Sequence, residues 1–218
     1  SEMAGFDSFH TRRYYDDKKP LLLKIRDDKT LIESYSIYQD SKLKPITKSS
    51  TFRLTQPILL PDGKSFFYLK EHYNIPPSIV INRKGKEQIV YQTNVNDHRI
   101  GEYRMEKISY ANSKGVPLTG LLYYPHKYEN DKKYPMIVGI YEIMSHHYNR
   151  YLLDGFKGLQ TEGMNIRYYL DRGYFVFLPD IEYDERGPGS SALDAVESAL
   201  KALEGKNGIN FEKLGLLG

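Results

Sequence analysis

Three stretches of the chain carry side chains of the kinds that do chemistry. His146 and His147 stand together, with Asn149 and Arg150 close behind. Imidazoles bind metals and move protons. A metal site, however, needs several convergent ligands, and no H-E-x-x-H or comparable spacing accompanies this pair. Neighbours in extended backbone also point to opposite sides, which keeps both off one ion. The expectation is a loop, either solvated or facing a substrate. Asp180, Glu182, Asp184 and Glu185 form an acidic cluster ahead of Arg186-Gly187-Pro188-Gly189. Alternating carboxylates suit calcium, yet the D-x-[DN]-x-[DN]-G loop is missing. Two of them could act as acid and base on a glycosidic bond only at a separation that spacing does not fix. A structural loop, with Arg186 paired to Asp184 or Glu182, is the favoured expectation. Gly187-Pro188-Gly189 precedes a helix, and helix N-termini attract anions. No G-x-x-x-x-G-K-[ST] or G-x-G-x-x-G pattern follows a strand, so nucleotide binding is set aside. Arg12-Arg13 and Lys18-Lys19, interleaved with Tyr14 and Tyr15, read as solvated surface, too short a patch for RNA.

The elements holding these residues have ordinary soluble composition. In 218 residues, 31 Lys+Arg stand against 28 Asp+Glu, a net charge of +3, too thin a surplus for a nucleic-acid surface. Charged residues make up 27% and the hydrophobic set 40%, unlike a disordered or acidic tail. Cysteine is absent, which removes disulfides, thiol nucleophiles and cysteine-ligated zinc. No apolar run approaches the roughly 18 residues of a membrane span. Ser1-Glu2-Met3-Ala4-Gly5 does not open a secretory signal. None of this fixes the compartment.

Residues 1–104 read as antiparallel β. Leu21 to Ile25 and Thr30 to Ile32 flank a polar turn; Thr51 to Leu60 meets Ser65 to Leu69 across Pro61-Asp62-Gly63-Lys64; Pro77 to Ile81 meets Gln88 to Tyr91 across Arg83 to Lys86. Asp-Gly between apolar runs marks a hairpin, because glycine accepts the positive φ of a tight turn. Turns about every ten residues suit meander sheets such as propeller blades. Residues 105–218 change texture. Glu106 to Tyr110 and Leu118 to Tyr124 pair around Asn112 to Gly115, and Tyr134 to Tyr141 and Tyr174 to Pro179 are near-continuous apolar runs, as strands buried on both faces are. Ile166 to Asp171 is a short helix closed at Gly173. Ser191 with Asp194 is a capping-box variant for a helix running to Gly205. Leu214 to Gly218 begins a third buried strand. Strand, helix, strand, helix, strand is the rhythm of a parallel α/β sheet. The fold class is therefore α/β plus all-β.

At this point the chain resembles the prolyl oligopeptidase family of serine peptidases, nearest its dipeptidyl-peptidase-like branch. The match rests on Ile108-Ser109-Tyr110 through Gly115 to Gly120-Leu121-Leu122-Tyr123-Tyr124-Pro125, Lys133 to Val138 leading into Tyr141, Arg172-Gly173-Tyr174 to Pro179-Asp180, and Gly187-Pro188-Gly189 with its helix and last strand. The order and spacing of these segments over about 110 residues carry the match, each being weak alone. The resemblance implies the N-terminal half of an α/β-hydrolase sheet over 105–218, preceded over 1–104 by terminal strands of a β-propeller. In such folds the nucleophile sits on a G-x-S-x-G turn, with Asp and His later. Gly218 falls where the first glycine belongs, so serine, acid and base are expected beyond residue 218. Tyr141 is the catalytic candidate within the chain, a hydroxyl donor to the oxyanion; Glu142-Ile143 follow it where relatives often have small residues. Neither His146 nor His147 takes the triad role, since that histidine lies far downstream.

The resemblance implies an intact parent that hydrolyses short peptides through an acyl-serine intermediate, with no cofactor and no metal. The 218-residue chain alone is expected to be inactive, to expose an unpaired sheet edge, and to need the rest of its hydrolase domain; a homodimer is left open. Two alternatives stand beside this reading: an esterase of the same fold, and a non-catalytic binding module whose turn lacks serine. The alignment requires Leu214–Leu217 to lie inside a sheet and to end near Tyr141.

Overall fold

The computed structural model describes residues 19–153 and 164–218. Of the sequence features singled out above, Ser1 to Gly5 and the basic patch as far as Lys18 lie outside them. The described chain is mostly sheet, with twelve strands against two α-helices. It divides into two compact units, Ser1–Asp97 and His98–Gly218.

In the first unit every strand pairs with its sequence neighbour. β1 (Leu21–Arg26), β2 (Glu33–Gln39) and β3 (Lys42–Pro45) make one antiparallel meander. β4 (Arg53–Leu59), β5 (Ser65–His72), β6 (Ile75–Arg83) and β7 (Lys86–Gln92) make another. Turn chemistry sets the registers. Gly63 takes φ +65° between β4 and β5, and Lys84 and Gly85 both take positive φ between β6 and β7, as a two-residue hairpin loop requires. The segment Thr30 to Ile32 is not strand: Asp27 accepts hydrogen bonds from the Lys29 and Thr30 backbone N–H groups, Leu31 takes φ +59°, and β2 starts at Glu33. Tyr35, Leu54, Phe66, Tyr68 and Val80 form the core, with Tyr35 edge-on to Phe66 at 5.6 Å and to Tyr68 at 5.5 Å. Glu33 is buried among them and accepts the Leu54 N–H at 2.5 Å and Lys24 Nζ at 2.8 Å, so its charge is compensated.

The second unit has one five-stranded sheet. β8 (Met105–Ala111) and β9 (Pro117–Tyr123) form a hairpin. β9 runs antiparallel to β11 (Phe175–Pro179), and β11, β10 (Tyr134–Gly139) and β12 (Ile209–Leu217) are mutually parallel in the order β12-β10-β11. α1 (Ile166–Leu170) lies between β10 and β11 in sequence, and α2 (Pro188–Lys201) between β11 and β12. The connection from β11 to β12 passes back over β10, so strand order reverses there. Every residue of β11 is buried, and Met136, Val138, Phe175 and Phe177 centre the core, each contributing about 1.5–3 kcal/mol by its burial. Gly120 on β9 is required by packing, because a Cβ there would meet the Phe177 ring at 2.4 Å.

The compact units divide after Asp97, where Arg99 pairs with Asp171, Tyr103 Oη donates to Asp171 at 2.8 Å, and the Tyr124 N–H donates to Arg104 O. Two further expectations are corrected. The helix expected to be capped by Ser191 starts at Pro188 instead, with Gly187 as N-cap at φ +86°. Proline fits there because the first helical N–H has no partner to lose. Finally, β12 is a rim strand rather than a buried one. Among the described residues it pairs only with β10, and Leu214, Leu216 and Leu217 are 37%, 65% and 38% exposed. Among the described residues, no helix is long and apolar enough to cross a membrane.

Candidate functional site

Tyr141 leaves the carboxyl end of β10, where it is half exposed. The residue before it fixes its place: the Ile140 N–H donates to Leu217 O at 2.7 Å. The end of β12 therefore lies against the start of the Tyr141 loop. Gly218 continues this close approach, since a Cβ on it would stand 3.1 Å from Ile140 O. In open α/β sheets ligands bind at this end of the strands, where strand order reverses. One of the two conditions set by the alignment is met and the other is not: Tyr141 adjoins the end of β12, while β12 itself forms the rim.

After Tyr141 the chain turns through a short 3-10 segment, Met144–His147. Met144 and Ser145 are buried, while the His146 ring is exposed. The anchor of this segment is Asp180, at the exit of β11. Asp180 Oδ1 accepts the Ser145 N–H at 2.6 Å, and the Ile181 N–H donates to Glu142 O at 3.0 Å. Asp180 is itself tied down, its N–H donating to Thr119 O at 3.0 Å and its carbonyl accepting Tyr110 Oη at 2.5 Å. Burial pushes the Asp180 carboxyl above its ordinary value, opposed by the Ser145 hydrogen bonds. Burial likewise raises the Tyr110 hydroxyl, so it remains a donor.

The acidic cluster is therefore split by the fold. Asp180 points into the protein, whereas Glu182 is exposed. Asp184 and Arg186 pair through two close contacts, and Arg186 also reaches Asp194 at 2.7 Å. Of the two pairings expected for Arg186, the one with Asp184 is present. Lys114, from the β8–β9 turn, pairs with Asp184 and Glu185. Asp194 accepts Ser113 N–H at 3.0 Å and Ser113 Oγ at 2.8 Å, so it clasps that turn instead of closing a capping box. The Arg186 guanidinium and its backbone N–H hold Asp184 far below the usual carboxylate range. Ser191 Oγ donates to Gly187 O at 2.8 Å, stitching the loop to the helix start. Among the described residues no three His, Cys, Asp or Glu side chains converge to hold a metal ion.

A polar cavity of about 280 Å³ lies at the opposite, amino end of the parallel strands, lined by Arg104, Glu106, Tyr124 and Lys206 among others. Lys206 Nζ meets Glu106 at 2.5 Å and Tyr124 Oη donates to Glu106 at 2.7 Å, so these lining charges pair with one another, and the cavity takes in none of the residues around Tyr141. Sequence reasoning missed Asp180 as the anchor of the Tyr141 loop, and missed Ser113 and Asp194 as a clasp. A carboxylate directly after a wholly apolar strand was a usable signal. Its partner, 35 residues earlier, was not readable from spacing.

No protein-family model matches the chain, and no curated protein is similar in sequence. Solved structures do match. The AtxE2 isopeptidase aligns with a TM-score of 0.68 at 16% identity, covering 92% of this chain and 33% of that one. Porphyromonas gingivalis dipeptidyl peptidase 4 aligns with a TM-score of 0.67 at 12% identity, covering 92% and 30%. A prolyl endopeptidase aligns with a TM-score of 0.62 at 13% identity, covering 91% and 30%. The chain thus spans about a third of the length of the structures it matches. At these identities the likeness is one of fold, and in fold this chain resembles the prolyl oligopeptidase type of peptidase, as prolyl endopeptidase, dipeptidyl peptidase and isopeptidase structures represent it.

Proposed function

We propose that this chain is the part of a serine peptidase that precedes its nucleophile turn, and that the intact protein cleaves peptide bonds in short peptides. In this reading the first unit, as far as Asp97, supplies terminal strands of a β-propeller, and the second, from His98, the first half of an α/β-hydrolase sheet. The four-stranded meander β4–β7 has the shape of a blade, and the order β8-β9-β11-β10-β12, with β9 antiparallel to β11, supports the hydrolase assignment. A catalytic serine two residues beyond Gly218 would stand at the carboxyl end of β12, with acid and base further on. The rim position of Leu214 to Leu217 does not meet the condition set by the alignment; the reading is retained on the adjacency of Tyr141 to β12, and it supposes that chain beyond Gly218 pairs with that open edge.

The observation that carries the proposal is the adjacency of Tyr141 to the end of β12 through the Ile140 N–H to Leu217 O bond. A strand that presents the nucleophile beside a strand that presents a hydroxyl donor is what acyl transfer needs. As serine attacks the carbonyl, negative charge grows on its oxygen, and Tyr141 Oη would donate to it beside a main-chain N–H of the turn. Histidine would accept the serine proton and return it to the leaving amine, with aspartate orienting the imidazole. A peptide substrate is supported by a matched isopeptidase variant that holds bound Astexin3-dC4.

Assay of the full-length protein on aminoacyl-proline and aminoacyl-alanine amides and on simple esters tests this. Amide cleavage with fluorophosphonate labelling is expected; labelling of the 218-residue chain by itself would overturn the alignment. Hydrolysis of esters alone would favour the esterase reading, and a turn without serine after Gly218 would leave a binding module. Tyr141→Phe is expected to lower kcat by about 10²–10³-fold.

A further inference from the structure

We propose that Asp180 is a positioning residue for Tyr141: its carboxylate fixes the path of the Tyr141 loop by holding the Ser145 N–H. The inference rests on the reading of Tyr141 given above and adds to it the group that would set the hydroxyl in place.

An oxyanion donor works only if its position is settled before charge develops, because a displacement of about 1 Å costs on the order of 10²-fold in rate. Tyr141 is half exposed and stands outside the sheet, so its own packing is a weak guide. The backbone around it is pinned on both sides. Upstream, the Ile140 N–H is bonded to Leu217 O at 2.7 Å, on β12. Downstream, Glu142 O accepts the Ile181 N–H at 3.0 Å and the Ser145 N–H meets Asp180 Oδ1 at 2.6 Å, both from the exit of β11. The side chain of Asp180 is the one replaceable part of the downstream anchor. It is only 5% exposed, a costly place for a carboxylate that served the surface alone. Its main chain cannot drift, because Thr119 O and Tyr110 Oη hold it from β9 and β8. The anchor thus transmits the rigidity of three strands to a loop that has no strand of its own.

The test uses the full-length protein carrying Asp180→Ala, Asp180→Asn, Tyr141→Phe, and the Asp180→Ala/Tyr141→Phe pair. Asp180→Ala is expected to lower kcat about 10–100-fold with KM within about two-fold. In the Tyr141→Phe background the same change should cost less than about three-fold, since the group it positions is gone. Asp180→Asn keeps an acceptor oxygen and should recover most of kcat. Amide exchange at Ser145 should quicken in Asp180→Ala while Val176 and Phe177 stay protected, which separates a freed loop from a misfolded sheet. Losses that multiply in the double variant, or unchanged exchange at Ser145, would overturn the inference while leaving an active wild type and its peptidase reading intact. A wild type inactive on amides and esters would instead remove that reading, and this inference with it.

Discussion

The two units use the same material in opposite ways. In Ser1–Asp97 the described strands pair only with neighbours in sequence, as two meanders, so the sheets are products of their turns. In His98–Gly218 the order β12-β10-β11-β9-β8 departs from sequence order, and β10 is joined to β12 only after the chain has made α1, β11 and α2. Local pairing needs little loop closure, whereas the second arrangement brings together residues far apart in the chain. Its return is the sheet end at which the proposed chemistry would take place. Non-local pairing sets the loop after β10 beside the ends of β11 and β12, so that Tyr141, Asp180 and Gly218 share one end of a sheet. Among its described residues the first unit, built of meanders, gathers no comparable group.

The widest test of this contrast is Phe177→Ala. Phe177 is fully buried on the central strand pairing of the second unit, and its loss should cost about 3–5 kcal/mol. Hydrogen exchange followed region by region should show the loss in Val138 and Leu122 but not in Tyr68 and Val80. Equal deprotection in both units would break the picture of two cores. Gly120→Ala probes the same contact from the other side. The new methyl would meet the Phe177 ring at 2.4 Å, and a cost of about 1–3 kcal/mol is expected in denaturant unfolding; a neutral result would mean that β9 and β11 can separate freely.

Gly63→Ala is the counterpart in the first unit, where the turn rather than the core is at stake. At φ +65° an alanine costs about 1–2 kcal/mol, read as a lowered unfolding midpoint of the β4–β5 hairpin. A stabilised variant would show that the turn does not set this register.

The smallest effect concerns acid. Asp62 is lowered from 3.8 to about 2 by the Lys64 and Ser65 backbone N–H groups and the Ser65 hydroxyl, and Asp184 lies lower still through Arg186. Both carboxyls are depressed in the folded state, so their contributions are complete above the unfolded value near 4 and fade as pH falls through the folded values. The β4–β5 turn should therefore titrate near pH 2, ahead of the loop joining Asp184, Arg186 and Asp194. Carboxyl chemical shifts followed by NMR check this, and a midpoint near 4 for Asp62 would contradict it.

Much of the first unit was legible because its signals are local. Pro61-Asp62-Gly63 and Lys84-Gly85 state their turns in side-chain-free or positive-φ residues, and the strands follow. β2 and β3, rich in Ser, Lys and Tyr, were not read, since neither carries a continuous apolar run. In the second unit β9, β10 and β11 were read from their apolar runs and α1 from Gly173, which takes φ +77°. The start of α2 was misplaced because Asp194 is drawn away to Ser113 and Arg186, and a tertiary partner outweighs a local cap.

By itself the sequence determined most of the apolar strands and the turns between β4 and β5 and between β6 and β7, because apolar period and backbone preference act between near neighbours. Tyr141 was singled out by the family resemblance, not by its spacing. Tertiary structure alone decided that β12 lies at a rim, that Arg186 reaches Asp194, and that Asp180 turns inward to Ser145. Those outcomes depend on which distant groups compete for one donor or one edge, and that competition is settled only when the sheet assembles.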